Sequence, residues 1–237
     1  MKDPNILYQH GTLALLVPGL FEGTQTVGEL LKHGDTGIGT LTGLDGELMI
    51  LNGTVYQFSA AGQIREVAST EKVPFANVHY LDDHSMGQLE NLDLKNFKKS
   101  VTEKMQTENL FYSVRVKGTF KLMHTRAVLP QKPPYPTLTE TAAKQCEYQN
   151  KNVTGTLIGY FCPDLYAGAV SPGFHLHFLS DDHRTGGHIL NLELDHGELY
   201  LQQFTDFNLN LPIENSEFLK QKFNNGEIID SIMEAEN

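Results

Sequence analysis

The sequence predicts an α+β protein in two parts, an N-terminal mixed β-sheet with helices and a C-terminal, small, β-barrel-like half. Three observations lead there. Apolar residues recur at helical spacing near the start, through Leu13, Leu16, Leu20, Val27, Leu30 and Leu31. From Thr36 the period changes to two, in runs separated by Asp45-Gly46 and Asn52-Gly53, dipeptides that mark tight hairpins. Beyond a Pro-rich run at 130–136, β-formers dominate almost to the end.

The elements follow from these patterns. Residues 5–33 read as mainly helical, broken at Gly19 and Gly23, with Thr26 as the N-cap of the second piece and Glu29 as its capping-box partner. Residues 37–58 read as a three-stranded meander, and 63–67 and 75–80 as further strands of the same sheet. Residues 91–107 return to helical spacing, burying Leu92, Phe97, Val101 and Met105. Residues 110–128 read as a hairpin turning at Lys117-Gly118. The run PQKPPYP suits neither a helix nor a central strand, because proline lacks the N–H that both use. It marks a boundary, giving parts at 1–129 and 130–237. In the second part, 153–161, 174–178, 188–194 and 198–204 read as strands, with a turn at 195–197 and a terminal helix at 228–236.

Composition limits the function. The chain has 237 residues, 40% of them hydrophobic and 20% charged, which suits a globular fold with a sizeable core. Its net charge of -11 and lack of a basic cluster argue against nucleic acid and against anionic membrane surfaces as partners. The apolar stretch 12–21 is too short to span a bilayer and contains Pro18 and Gly19, so a cytoplasmic location is the default expectation. Cys146 and Cys162 lie in no CxxC pair and read as thiols of a reducing compartment. No Gly-rich phosphate loop follows a strand, so no nucleotide cofactor is expected.

The densest chemistry lies in GFHLHF and SDDHRTGGHIL, residues 173–190. His175 and His177 are two apart in a run of β-formers, so both point to one face of a strand. His188 opens the next apolar run and faces that pair if the two runs form a hairpin. Three neutral imidazoles on one hairpin face suit Zn2+ with a coordination position left open. His183, in the connecting turn, and His196, in a later one, read as solvated. Arg126 shares an alternating face with Phe120, Leu122 and Val128. An arginine there must pair with a buried carboxylate or bind an anion. Glu47 alternates with Met49 and Leu51. It reads as an acid or base of raised pKa, a further metal ligand, or a solvated edge residue. Thr40, on the preceding strand, offers a hydroxyl to a substrate, while Glu234 and Glu236 read as an acidic tail.

Together these stretches resemble the bacterial alpha-acetolactate decarboxylases. Carrying the likeness are YQHGTL, HGDTGIGTLTGLDGELMILNGTVYQ, EKVPFANV, NLFYSVRVKGTFKLMHTRAV, GTLIGYFCP and SPGFHLHFLSDDHRTGGHIL, in the same order over nearly the whole chain. The resemblance implies an enzyme that converts 2-acetolactate, a small-molecule substrate, to acetoin and carbon dioxide, with zinc on His175, His177 and His188. It implies active-site roles for Thr40, Glu47 and Arg126, and for a glutamate near the C-terminus, Glu236 or alternatively Glu234. It also implies a two-part α/β fold and a homodimer in which the N-terminal sheet takes part. The chemistry implied is decarboxylation onto the neighbouring ketone through an enediolate that zinc stabilises. Arg126 then holds the carboxylate or the developing oxyanion, and Glu47 and Glu236 are the two candidates to protonate the enediolate, one of them alternatively deprotonating the hydroxyl. Two other readings stand beside this one. A cupin-like iron or manganese enzyme would use Asp181 as the acidic ligand after its HxH pair. A non-catalytic metal-binding module would close the site with a fourth protein ligand.

Overall fold

A computed structural model describes residues 2–236, with all side chains among them except those of Asn225, Glu227 and Glu236. Along the chain, β1 (Ile6–His10) leads into the short helix α1 (Leu13–Leu16), and β2 (Gln25–Thr26) into α2 (Val27–Leu30). Then come β3 (Thr36–Leu41), β4 (Asp45–Leu51), β5 (Thr54–Phe58), β6 (Ile64–Glu66), β7 (Lys72–Val73) and β8 (Phe75–His79). Next are β9 (His84–Asp93), α3 (Leu94–Thr102) and β10 (Phe111–Ala127). After the Pro-rich segment follow α4 (Leu138–Ala142), β11 (Cys146–Cys162), β12 (Gly173–Ser180) and β13 (Gly186–Phe204). The chain continues with β14 (Asp206–Asn210), α5 (Ser216–Lys220) and α6 (Asn225–Glu236).

Among the described residues the strands form a seven-stranded sheet, order β14-β1-β8-β3-β4-β5-β6, a five-stranded sheet, order β10-β11-β12-β13-β9, and a β2–β7 ribbon. The class is α+β, dominated by strands. The two large sheets pack on one another, because both carry apolar side chains that must leave water. Leu7 and Ile38 of the first meet Ile158, Tyr160 and Phe204 of the second, and Met49 and Phe58 meet Ala127 and Leu179. β3 is consequently buried at every position. Beside the sheets, α1, α4 and α6 join through Leu13, Leu16, Leu138, Ile228 and Ile232.

The sheets do not follow the expected division at 129/130. β9 and β10 belong to the second sheet, and β14 returns to the first, pairing with β1 in parallel from Ile6–Asp206 to His10–Asn210. β10 pairs with both β11 and β13, as does β12, so these four strands are linked in a cycle.

Several local expectations change. Residues 6–10 are a strand rather than helix, since β1 lies between β14 and β8 with Leu7 and Tyr8 buried. Pro18 and Gly19 follow closely, so the helix that comes next is only the short α1, capped by Thr12. Thr26 does cap α2, accepting from the Glu29 N–H at 3.2 Å, but the Glu29 carboxylate takes Lys32 at 2.6 Å. Asn52 and Gly53 have φ of 52° and 80°, as the expected tight turn between β4 and β5 requires. Asp93 caps α3, and Phe97 and Val101 face the second sheet's core as their spacing predicts. β9 escapes pattern reading because it is an edge strand, with Leu89 its fully buried side chain.

Lys117-Gly118 is not a turn, for β10 runs unbroken through it. Gly118 instead serves close approach. A Cβ there would stand 2.6 Å from Gly197 Cα of β13, and Gly155 of β11 is in register on the other side. The expected turn at 195–197 lies inside β13, where a register shift between the Thr119–His196 and Phe120–Leu194 pairs leaves Asp195 bulged.

One buried group outside the candidate site makes stability depend on pH. His79 Nδ1 lies 2.8 Å from the Tyr160 hydroxyl, with Tyr160 and Phe204 edge-on to its ring. Burial, with the Arg115 charge adding to it, pushes the His79 pKa down from 6.5 to about 3. Between those values the unfolded chain binds a proton that the folded chain refuses. The stability is therefore fully present above the unfolded pKa and falls as pH drops toward 3, by about 1.4 kcal/mol per pH unit. His79→Gln is expected to flatten this slope by about one proton, read from urea midpoints between about pH 4 and 7.

Candidate active site

The histidine trio arises from strand register. β12 and β13 pair antiparallel with His177 opposite His188, and His175 lies two residues along β12 on the same face. Their ligand nitrogens all lie within 4.8 Å of one another. His175 Nε2 and His177 Nε2 are 3.2 Å apart. Two nitrogens bound to one tetrahedral ion at about 2.0–2.1 Å stand roughly 3.3 Å apart, so the spacing fits a shared cation. Asp181 is exposed at the connecting turn and is not part of this group.

Two neighbours set the protonation of the trio. His177 Nδ1 is 2.8 Å from the Leu48 carbonyl, which can only accept, so Nδ1 carries the proton and Nε2 presents its lone pair. Burial pushes the His175 pKa down to about 3, and the Arg126 guanidinium acts in the same direction. That keeps the imidazole neutral and able to donate to a cation. The ring is partly exposed, and it lines the cavity described below.

The charged residues come from both sheets. Glu47 lies on β4 with Thr40 opposite it on β3, while Arg126 lies on β10 opposite His188. Arg126 Nη1 donates to Glu47 Oε1 at 3.0 Å, and Nη2 donates to the Ala235 carbonyl of α6 at 3.3 Å. Glu47 Oε2 stands 3.6 Å from His177 Nε2. Arg126 and Glu47 are only 5% and 6% exposed, so each meets its charge partner out of water. The simple alternation that predicts Arg126's burial does not survive, because one extra residue in β10, Lys121, shifts the parity between Phe120 and Leu122, and Leu122 is only half-buried. Arg126 is buried because the second sheet meets the first at this point.

The remaining candidates are placed as follows. The Thr40 hydroxyl donates to the Gly46 carbonyl at 2.8 Å. Glu234 is exposed on α6, and the side chain of Glu236 lies outside the described residues. His183 is exposed beside the Tyr56 ring, and His196 is exposed beside Asp195. Cys146 and Cys162 are both free thiols. Arg115, the other buried arginine, is committed to Asp83 and stacks on the Tyr200 ring.

Thr40, Glu47, Arg126, His175 and His177 line the polar part of one cavity. Its apolar part comprises Leu13 and Leu16 of α1, Leu44, Phe75 of β8, Val128, Leu138 and Ala142 of α4, and Ala235 of α6. The sequence does not single these residues out, since apolar residues at such spacing look like ordinary core. It also misses the Leu48 and Ala235 carbonyls, which no side-chain pattern reveals.

The sequence pattern of a family described as Alpha-acetolactate decarboxylase matches residues 7–225. The chain belongs to the alpha-acetolactate decarboxylase family. It is 40% identical to the alpha-acetolactate decarboxylase of Brevibacillus brevis over 209 residues, 88% of this chain and 73% of that one. It is 36% identical to the Streptococcus thermophilus alpha-acetolactate decarboxylase, with 100% of both chains covered. A Staphylococcus aureus protein, described as of unknown function and similar to alpha-acetolactate decarboxylase, has the same fold. Its crystal structure superposes with a TM-score of 0.94 at 39% identity, covering 98% of this chain and 100% of the other. The alpha-acetolactate decarboxylase of Bacillus subtilis strain 168 gives the same TM-score of 0.94 at 29% identity, covering 98% and 99%. The family pattern ends where α6 begins, so the helix that offers Ala235 to Arg126 lies beyond the matched span.

Proposed function

We propose that the protein decarboxylates 2-acetolactate to acetoin and carbon dioxide with a zinc ion held by His175, His177 and His188. The observation that carries this reading is the buried Arg126–Glu47 pair, which shares one cavity with His175 and His177 of the imidazole trio, within a chain of this family. Zinc, when bound, supplies a Lewis acid that stabilises the enediolate left when the carboxylate departs. The Arg126 charge, which lines the cavity, holds the leaving carboxylate or the developing oxyanion and orients the breaking bond toward the neighbouring ketone, which accepts the electron pair. The Thr40 hydroxyl already donates its hydrogen bond to the Gly46 carbonyl, so its oxygen meets the substrate as an acceptor. A proton must then reach the carbon that lost its carboxylate. Glu47, anchored by Arg126, carries a proton either to that carbon or away from the hydroxyl, and Glu236 takes the other transfer.

A homodimer, which the family resemblance implies, and a cytoplasmic location complete the reading. No helix among the described residues is long and apolar enough to cross a membrane. Incubation of the purified protein with racemic acetolactate, following acetoin and carbon dioxide, tests the function. Acetoin should form well above the spontaneous rate, stop on chelation and resume on adding zinc. No acetoin above that rate with zinc present overturns the proposal.

A further inference from the structure

We propose that the face of α4 formed by Leu138 and Ala142 sets how long an alkyl substituent the substrate can carry. The inference rests on the decarboxylase reading above. In that reading the polar part of the cavity takes the carboxylate, hydroxyl and ketone oxygens. What remains of the substrate is alkyl, and the surface left for it is the apolar part of the same cavity. Leu13, Leu16, Phe75 and Val128 are buried within the core, so their shape is tied to the packing of the whole molecule. Ala142 is different. It is small and, unlike the other apolar side chains of the lining, only partly buried, a place where volume can be added or withheld.

The helix that presents this face is short but held at several points. Thr137 and Glu140 form a complete capping box, with the Glu140 N–H donating to Thr137 Oγ1 at 3.3 Å and the Thr137 N–H to Glu140 Oε2 at 2.9 Å. The Leu138 N–H donates to the Val17 carbonyl at 3.1 Å, tying α4 to the end of α1. Leu138 also packs with Ile228 and Ile232 of α6. Leu138 and Ala142 are four residues apart and so lie on one side of the helix. A wall fixed in this way discriminates by size, because a rigid apolar surface cannot recede from an extra methylene.

Two homologous series of 2-hydroxy-3-oxo acids test the proposal, lengthened by methylene units at either the hydroxyl-bearing carbon or the acyl end. The readout is kcat/KM for each acid relative to the methyl parent. Leu138→Ala should raise that ratio for longer acids about tenfold or more in at least one series, and Ala142→Leu should lower it by a similar factor. One methylene in a fitted apolar pocket is worth about 10–200-fold. Ala142→Val is the milder variant, and it decides the matter if the larger changes disturb folding, judged by circular dichroism. Unchanged ratios in both series, in variants that still turn over the parent, overturn the proposal. Wild-type protein that fails on the parent acid overturns the decarboxylase reading itself, and this inference with it.

Discussion

His175→Ala will lose both bound zinc and activity, whereas Glu47→Gln will keep the metal and lose activity. The difference follows from position. His175 Nε2 sits 3.2 Å from His177 Nε2 at the centre of the trio, and removing it leaves two imidazoles where an open catalytic zinc site uses three protein ligands. Glu47 approaches the trio only at 3.6 Å from His177, and its other oxygen is committed to Arg126. A glutamine there keeps an acceptor for Arg126 but cannot carry a proton. The expected loss in kcat is about 10²–10⁴-fold, the usual scale for a missing general acid or base. Metal analysis beside turnover measures both quantities. Full activity without zinc would sink the metal-dependent reading, and full activity in Glu47→Gln would move the proton work to Glu236.

Arg126→Met should cost stability as well as catalysis. The guanidinium and the Glu47 carboxylate are both nearly inaccessible, so removing the cation takes from a buried carboxylate the charge that balances it at 3.0 Å. Breaking such a pair from one side costs about 3–5 kcal/mol, while replacing both partners with apolar groups of similar size is often close to neutral. The double variant Glu47→Leu/Arg126→Met should therefore regain much of the stability lost by the single one, and both should be inactive. Arg126→Lys keeps the charge but loses the planar fork that reaches Glu47 and the Ala235 carbonyl together, so turnover falls with a smaller stability loss. Urea denaturation of these variants supplies the comparison. Equal destabilisation of the single and double variants would show that burial of the lone carboxylate is not the cause.

How much of this is legible in the sequence depends on the range of the interaction. The trio is legible because a two-residue period and a tight connecting turn fix which faces meet, and His177 does pair with His188. Arg126 and Glu47 are each legible as charges on apolar faces. Their meeting is not, because β10 and β4 belong to different sheets and nothing local encodes how the sheets are stacked. Partnership also overrides local spacing elsewhere. Residues 6–10 look helical beside Leu13 and Leu16, yet form a strand between two others. Gly118 looks like a turn residue, yet serves the approach of β10 to β13. The apolar wall and the two carbonyl acceptors become visible only once the chain has closed around them.

The parallel pairing of β1 with β14 also orders events in time. A ribosome adds about 5–20 residues per second, so roughly 10–40 s pass between the synthesis of Glu47 and that of Ala235. For roughly 6–25 s at that rate, β1 can already pair with β8 but must leave its other edge open until β14 arrives. An open strand edge is a template for pairing with another chain. The nascent protein is thus exposed to misassembly along Ile6–His10, and Arg126 cannot reach its carbonyl acceptor until Ala235 has been made.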